Sequence, residues 1–107
     1  MKKEDVKKLL DKQTTYSSEE GFLVAEESAK ESALSMVLSL TTTIEPYFDT
    51  TLDNGVDIYY DTNNNELQIH CPPLGSSNFY CFTNINGKRK LTRNPSHEEL
   101  VEFLMLL

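Results

Sequence analysis

The sequence predicts an α+β fold, with two main helices packed on a roughly four-stranded antiparallel sheet and a short N-terminal helix. Three observations lead to this fold class. Apolar residues recur at spacings of three and four near both ends of the chain, as amphipathic helices require. Between them, apolar and polar residues alternate as in half-buried strands, and turn-forming residues separate the alternating segments. The length of 107 residues suits one domain with one core.

The N-terminal segment has the pattern of a short amphipathic helix. Val6, Leu9 and Leu10 fall on one helical face, and charged residues occupy the rest. A helix this short is marginal in water unless it packs against something. We therefore expect residues 1–16 to form a helical arm, either mobile or stabilised by a partner, and residues 17–107 to form the α+β domain.

The second helix is predicted to run from Ser17 to about residue 41. Ser17 and Glu20 have the spacing of a capping box, which begins a helix. Apolar residues then recur at helical spacing, at Phe22, Ala25, Ala29, Ala33, Met36 and Leu40. Pro46 disfavours helical geometry at Glu45, so the helix must end before this point.

A β-hairpin is predicted between residues 56 and 71. Its two halves alternate between apolar and polar residues on either side of the turn Asn63–Asn65. The apolar positions, which we expect to face the core, are Val56, Ile58, Tyr60, Leu67, Ile69 and Cys71. Asp53, Asn54 and Gly55 form the turn that leads into the hairpin.

Two further strands are predicted at 79–83 and 88–92. Asn86-Gly87 lies between them and is a strong signal for a tight hairpin turn. The last strand is short and basic, as an exposed sheet edge should be. The predicted sheet is therefore antiparallel.

The C-terminal helix is predicted from its cap. Asn94 or Ser96 caps the helix, Pro95 suits its first turn, and Ser96 with Glu99 has the capping-box form. Its last turn is apolar all round, which a lone amphipathic helix in water would not tolerate. We expect this end either to pack between the sheet and the second helix or to dock on a partner, with a homo-oligomer formed through Val101–Leu107 as one form of the second alternative.

Negative charge is concentrated in the middle of the chain. Between Gln13 and Gly87 there are eleven carboxylates against the single cation Lys30, a local charge of about −10. Such a field repels nucleic acid and attracts basic surfaces or hard cations. We expect the second helix and the first hairpin strand to offer a partner-binding face comprising Glu19, Glu20, Glu26, Glu27, Glu31, Asp57, Tyr59 and Asp61.

The leading functional expectation is therefore a small acidic, non-enzymatic protein-binding module. An inhibitor, an immunity-type protein or an adaptor would fit, including one that mimics nucleic acid. The partner would be a protein with a basic surface, with no direct binding of nucleic acid. The alternative interpretation is that the carboxylates are solvated charges without a ligand.

Catalytic motifs are missing from the sequence. It contains no nucleophile elbow, phosphate loop or dinucleotide fingerprint, so we expect neither an enzyme nor a cofactor. His70, Cys71, Cys81 and His97 match no zinc spacing, which predicts two buried thiols, a surface His70 and a first-turn His97. Because no run approaches eighteen apolar residues and no signal-peptide core is present, we expect a cytoplasmic protein without membrane contact.

The order of elements resembles that of frataxin-like proteins. An acidic helix is followed by GVDIYYDTNNNELQIH, then GSSNFYCFTNINGKRKL and the helix NPSHEELVEFL, with the best match from Ser76 to Leu104. The chain differs from the family in having no Trp and only CPPLG between Ile69 and Ser76. The resemblance implies an iron-binding ridge at Glu26, Glu27, Glu31, Asp57 and Asp61, with Glu27, Glu31, Asp57 and Asp61 as the metal ligands.

Overall fold

The computed structural model describes residues 2–14 and 24–107, and in these residues three helices enclose one side of a five-stranded sheet. The elements in chain order are α1 Lys3–Thr14, α2 Glu27–Ser39, β1 Tyr47–Thr50, β2 Val56–Asp61, β3 Glu66–Cys71, β4 Tyr80–Ile85, β5 Lys88–Arg93 and α3 His97–Met105. The α+β class is confirmed. The structure has one strand more than the prediction of about four.

The five strands pair in sequence order, each antiparallel to the next. Directly opposed residues on antiparallel neighbours point to the same face, so the register assigns every side chain to one of two faces. One face carries the core residues Phe48, Val56, Ile58, Tyr60, Leu67, Ile69, Cys71 and Cys81, all of them buried. The inward positions predicted for the first hairpin are therefore confirmed.

All three described helices pack on this core face. α1 contacts β1 and α2, and α2 contacts β2 and β3, while Leu100 and Leu104 of α3 join the same core cluster. α1 is part of this packing, since Val6 and Leu10 are fully buried. The domain division at residue 16 falls in the segment that the structure does not describe and stays a prediction. Within the described residues, no helix combines the length and the apolarity needed to cross a bilayer.

α1 also protects an edge of the sheet. The Gln13 side chain accepts a hydrogen bond from the backbone N–H of Phe48 at 2.6 Å, and Thr50 Oγ1 donates to the Thr14 carbonyl at 3.2 Å. The first bond satisfies a backbone N–H of β1 that would otherwise be open to strand pairing with another molecule, and the second attaches the end of α1 to the same edge. The opposite edge, β5, is protected by its charged residues instead.

The prediction of one helix from Ser17 to about residue 41 is wrong at its start. α2 begins at Glu27, and Glu26 is already extended, with φ −68° and ψ 148°. The Glu26 N–H donates to the Asn54 carbonyl at 2.8 Å, and Asn54 Nδ2 donates to the Val24 carbonyl at 2.9 Å. These bonds hold Val24–Glu26 against the β1–β2 turn and prevent helical geometry there. The Ser17–Glu20 capping box lies outside the described residues.

The additional strand is β1, which the sequence pattern does not predict. It contains only four residues, Tyr47–Thr50, and follows Pro46 directly. A segment this short shows too little alternation to be recognised on its own. It is a strand because Phe48 and its neighbours pair with the strong strand β2, with Tyr47 opposite Tyr59.

Two turns confirm the sequence signals. Asn86 and Gly87 have φ values of 53° and 82°, the left-handed geometry of a tight hairpin turn. In the β1–β2 turn, Asn54 is the left-handed residue, with φ 63°. The next residue must be glycine, because a Cβ at Gly55 would lie 2.6 Å from the Cys71 carbonyl oxygen.

α3 begins as predicted. Ser96 Oγ accepts from the Glu99 N–H at 3.1 Å, and Glu99 Oε1 accepts from the Ser96 N–H at 3.0 Å, which completes the capping box. At the other end, Asn65 Nδ2 donates to the Leu106 carbonyl at 3.0 Å. Asn65 Oδ1 also accepts from the Asn86 N–H at 2.9 Å, so one side chain joins the β2–β3 turn, the β4–β5 turn and the end of α3.

Candidate functional site

The face of the sheet opposite the helices is the candidate functional surface, and we call it the open face. Its side chains form three rows across the strands. Read from β1 to β5, the first is Asp49, Asp57, His70, Tyr80, Arg93; the second is Tyr47, Tyr59, Gln68, Phe82, Leu91; the third, from β2, is Asp61, Glu66, Asn84, Arg89. The middle row is mainly aromatic and apolar. Carboxylates lie toward β1 and β2, and arginines lie on β5.

A stacked pair of tyrosines occupies the acidic half of the open face. The rings of Tyr47 and Tyr59 are nearly parallel, at 9°, with centroids 4.8 Å apart. Tyr47 Oη donates to Asp61 Oδ2 at 2.5 Å, which fixes the outer ring. Burial, followed by this hydrogen bond, raises the pKa of Tyr47 to about 12, so the hydroxyl remains a donor at neutral pH. Burial and the charges of Asp57 and Asp49 raise the pKa of Tyr59 as well.

Next to the tyrosines, a histidine lies between two aspartates. His70 Nδ1 is 2.7 Å from Asp57 Oδ1, and His70 Nε2 is 2.8 Å from Asp53 Oδ2. The ring also stacks on Tyr80, with centroids 4.9 Å apart. Asp57 Oδ2 accepts from Gln68 Nε2 at 2.8 Å. With both aspartates ionised, both ring nitrogens must donate, which makes His70 an imidazolium.

The pKa shifts in this cluster follow from its contacts. Burial by itself would lower the pKa of His70, but the hydrogen bonds to Asp57 and Asp53, together with their charges, raise it above its ordinary value of 6.5. Burial would raise the pKa of Asp53, and hydrogen bonds from Thr51, from His70 and from the Gly55 N–H outweigh it and lower that pKa below 3.8. His70 and Asp53 therefore each favour the charged form of the other.

This cluster corrects the prediction of a surface His70, a residue that is only 2% exposed. His70 does point away from the core, as its alternation with Ile69 and Cys71 predicted. It is buried because the Asp53 turn and Tyr80 cover it, and neither contact is local in sequence. The hairpin register could have signalled the pair, since closing the turn between Asp61 and Glu66 puts Asp57 opposite His70.

The structure divides the predicted partner-binding residues into two groups. Asp57, Tyr59 and Asp61 lie on the open face, but Asp57 is only 7% exposed and is bound to His70. Glu27 and Glu31 are exposed on α2, which packs on the opposite side of the sheet. Glu26 is exposed at the start of that helix, and Glu19 and Glu20 lie outside the described part of the chain. The helix and the strand therefore do not form one continuous acidic face.

The same division separates the ligands expected for iron. Glu27 and Glu31 are on one side of the sheet, and Asp57 and Asp61 are on the other, so the four side chains do not converge on one ion. In residues 2–14 and 24–107, no group of three or more His, Cys, Asp and Glu side chains is arranged to hold a metal. Frataxin-like iron binding stays a prediction.

Both cysteines are buried and free, as predicted. Burial raises the pKa of Cys71 to about 12 and that of Cys81 to about 11. Neither thiol is therefore a significant source of thiolate at neutral pH.

The end of α3 carries an exposed apolar surface. Leu100 and Leu104 are buried, whereas Met105 is 81% exposed and Leu106 more than half exposed. Leu106 and Phe103 line a groove of about 530 Å³ against β4 and β5. A homo-oligomer through Val101–Leu107 stays a prediction.

Comparison of the chain with protein-family models, with curated proteins and with solved structures finds no match.

Proposed function

We propose that this protein is a non-enzymatic protein-binding module that uses the acidic, tyrosine-containing half of its open face to bind a basic, arginine-bearing protein surface. The observation that carries the proposal is the stacked pair Tyr47 and Tyr59 with the carboxylates Asp49, Asp61 and Glu66 around it. We define these five residues as the arginine-binding patch. No acid–base or nucleophilic chemistry is part of the proposal.

The patch has the chemistry that a guanidinium group requires. A guanidinium stacks on an aromatic ring and donates two parallel hydrogen bonds to a carboxylate. Tyr47 is 40% exposed, and Asp61 already holds its ring in place. A partner arginine would therefore meet a ring and a carboxylate that lose little side-chain freedom on binding.

Repulsion within the patch favours a cation as its ligand. Asp61 and Glu66 are directly opposed across β2 and β3, and like charges in this position are destabilising. Burial, and then the charge of Asp61, raise the pKa of Glu66, with Arg89 only partly opposing them. An arginine placed between the two carboxylates would relieve this repulsion.

The test is a calorimetric titration with an arginine-containing peptide and with the same peptide carrying lysines. We expect the arginine peptide to bind more tightly, because only a guanidinium can both stack on an aromatic ring and donate two parallel hydrogen bonds to a carboxylate. We also expect the affinity to fall as the salt concentration rises. The double variant Asp61→Asn with Glu66→Gln should lose affinity by about tenfold or more, equal to about 1.4 kcal/mol.

The matched control is Glu27→Gln with Glu31→Gln on the opposite side of the sheet. It makes the same change of charge and should leave the affinity within about twofold of the unaltered protein. Loss of binding in this control, with retention in the strand variant, would refute the proposal and assign binding to the helix glutamates. Equal affinities at low and physiological salt would also refute it.

A further inference from the structure

The open face carries basic residues as well as acidic ones, and the two kinds are segregated. Arg89 and Arg93 are exposed on β5 and form no ion pair within 4.0 Å among the described residues. Leu91 lies between them and is 50% exposed. The arginine-binding patch lies at the other side of the same face, so the face contains both the proposed cation site and two arginines that have no described carboxylate within 4.0 Å.

We propose that a second copy of this chain covers the open face, and that Arg89 and Arg93 of each copy bind the arginine-binding patch of the other. This inference rests on the proposed function, because it supplies the arginines that the patch binds. The resulting assembly is a homodimer in which the two sheets pack face to face.

The charge pattern selects one symmetry for this dimer. A two-fold axis that lies over β3 and runs parallel to the strands places β5 of one copy on β1 of the other. Each of the three rows then faces the same row of the second copy, in reversed order. Arg93 then faces Asp49 of the second copy, and Arg89 faces the side of the third row that carries Asp61. An axis perpendicular to the strands would place acidic strands on acidic strands, which electrostatics disfavours.

The middle row supplies the apolar contact in the same arrangement. Tyr47 and Tyr59 of one copy would lie over Leu91 and Phe82 of the other, with Gln68 near the axis. When two sheets pack face to face with nearly aligned strands, their backbones lie about 10 Å apart and side chains such as these fill the space between them. The charged rows flank this apolar strip on both sides, as polar rims flank interface cores.

The size of the face predicts a weak dimer. Five strands about 4.8 Å apart and six residues rising about 3.3 Å each give a flat area of about 400 Å² per copy. The two copies together contribute about 800 Å², which is below the roughly 1,200 to 2,000 Å² of stable interfaces, so association should depend on concentration and on salt. Pairing through the free edge of β5 is a poorer alternative, because it would bring two strands of sequence KRKLTR side by side.

The experiment is a charge exchange followed by analytical ultracentrifugation over a concentration series. One variant, Arg89→Glu with Arg93→Glu, leaves only acidic residues among the exposed charges of the open face, and a second, Asp49→Lys with Asp61→Lys, gives the face a net positive charge. All four residues are exposed, so thermal melts should show both variants folded. Each variant alone should dimerise at least about tenfold more weakly than the unaltered protein, and an equimolar mixture should recover dimers.

Several outcomes would overturn the inference. One is an unaltered protein that stays monomeric at millimolar concentration; another is a mixture of the two variants that remains monomeric. A third is a dimer that survives Arg89→Glu with Arg93→Glu but is lost in Met105→Glu, which would place the interface on α3 instead.

Peptide binding separates this inference from the proposed function. The variant Arg89→Glu with Arg93→Glu retains the arginine-binding patch, so it should bind the arginine peptide at least as tightly as the unaltered protein does. A protein that binds the peptide without forming dimers would overturn only the homodimer. Dimers recovered by charge exchange without peptide binding would instead refute arginine recognition by an external partner.

Discussion

Replacing Asp57 by asparagine tests the buried charge cluster directly. Asp57→Asn keeps the shape of the side chain but removes the charge beside His70 and the acceptor that Gln68 uses at 2.8 Å. A buried hydrogen bond to a charged group contributes about 1.5 to 3 kcal/mol, and breaking a buried ion pair costs up to about 5 kcal/mol. We expect a loss of about 3 kcal/mol in the free energy of unfolding, equal to a fall in Tm of about 10 to 20 °C.

The pKa shifts of His70 and Asp53 determine how the stabilisation by this cluster changes with pH. Because the folded-state pKa of His70 is raised above 6.5, its contribution to stability is fully present below pH 6.5 and is lost as the pH rises through the raised value. The pKa of Asp53 is lowered below 3.8, so its contribution is present above that value and is lost as the pH falls through the lowered one. The cluster should therefore stabilise the fold most between about pH 4 and 6.5.

Urea denaturation at pH 6 and pH 9 measures both the loss of stability in Asp57→Asn and its dependence on pH. Asp57→Asn should cost about 3 kcal/mol at pH 6, and this cost should decrease as the pH rises through the raised pKa of His70. Asp61→Asn is the matched control, because it changes an exposed carboxylate on the same strand and face and should cost less than about 1 kcal/mol. Equal costs for the two variants, or parallel pH profiles for Asp57→Asn and the unaltered protein, would refute the charged cluster.

Three further predictions concern the fold. Gly55→Ala should destabilise by about 2 kcal/mol in urea denaturation, because its Cβ would lie 2.6 Å from the Cys71 carbonyl oxygen; a neutral effect would contradict this backbone approach. Ser96→Ala should lower the free energy of unfolding by about 1 kcal/mol through loss of the α3 cap. Ser96→Asp should retain most of the stabilisation that this cap provides. Cys71 and Cys81 should react with a thiol reagent only after denaturation, and rapid labelling of the folded protein would contradict their burial.

The candidate site was only partly predictable, and the reason differs between its residues. Alternation alone placed Asp57, Tyr59 and Asp61 on one strand face, and the structure agrees. The partners of these residues come from elsewhere: Tyr47 from a strand too short to recognise, and Asp53 from a turn that folds back over His70. The sequence pattern also predicts that the helix glutamates share this surface, but a helix's own pattern does not encode which side of a sheet the helix packs on.

The sequence by itself determined the antiparallel hairpins, their inward faces and the cap of α3, because these depend on residues close together in the chain: alternation, Asn-Gly turns and a capping box. Only the tertiary structure decided where α2 begins, that β1 exists, and that His70 is buried between two aspartates. Each of these depends on bonds between distant segments, such as Glu26 with Asn54 and His70 with Asp53. Such bonds form only when packing brings the segments together, and they then override the conformational preference of the local sequence.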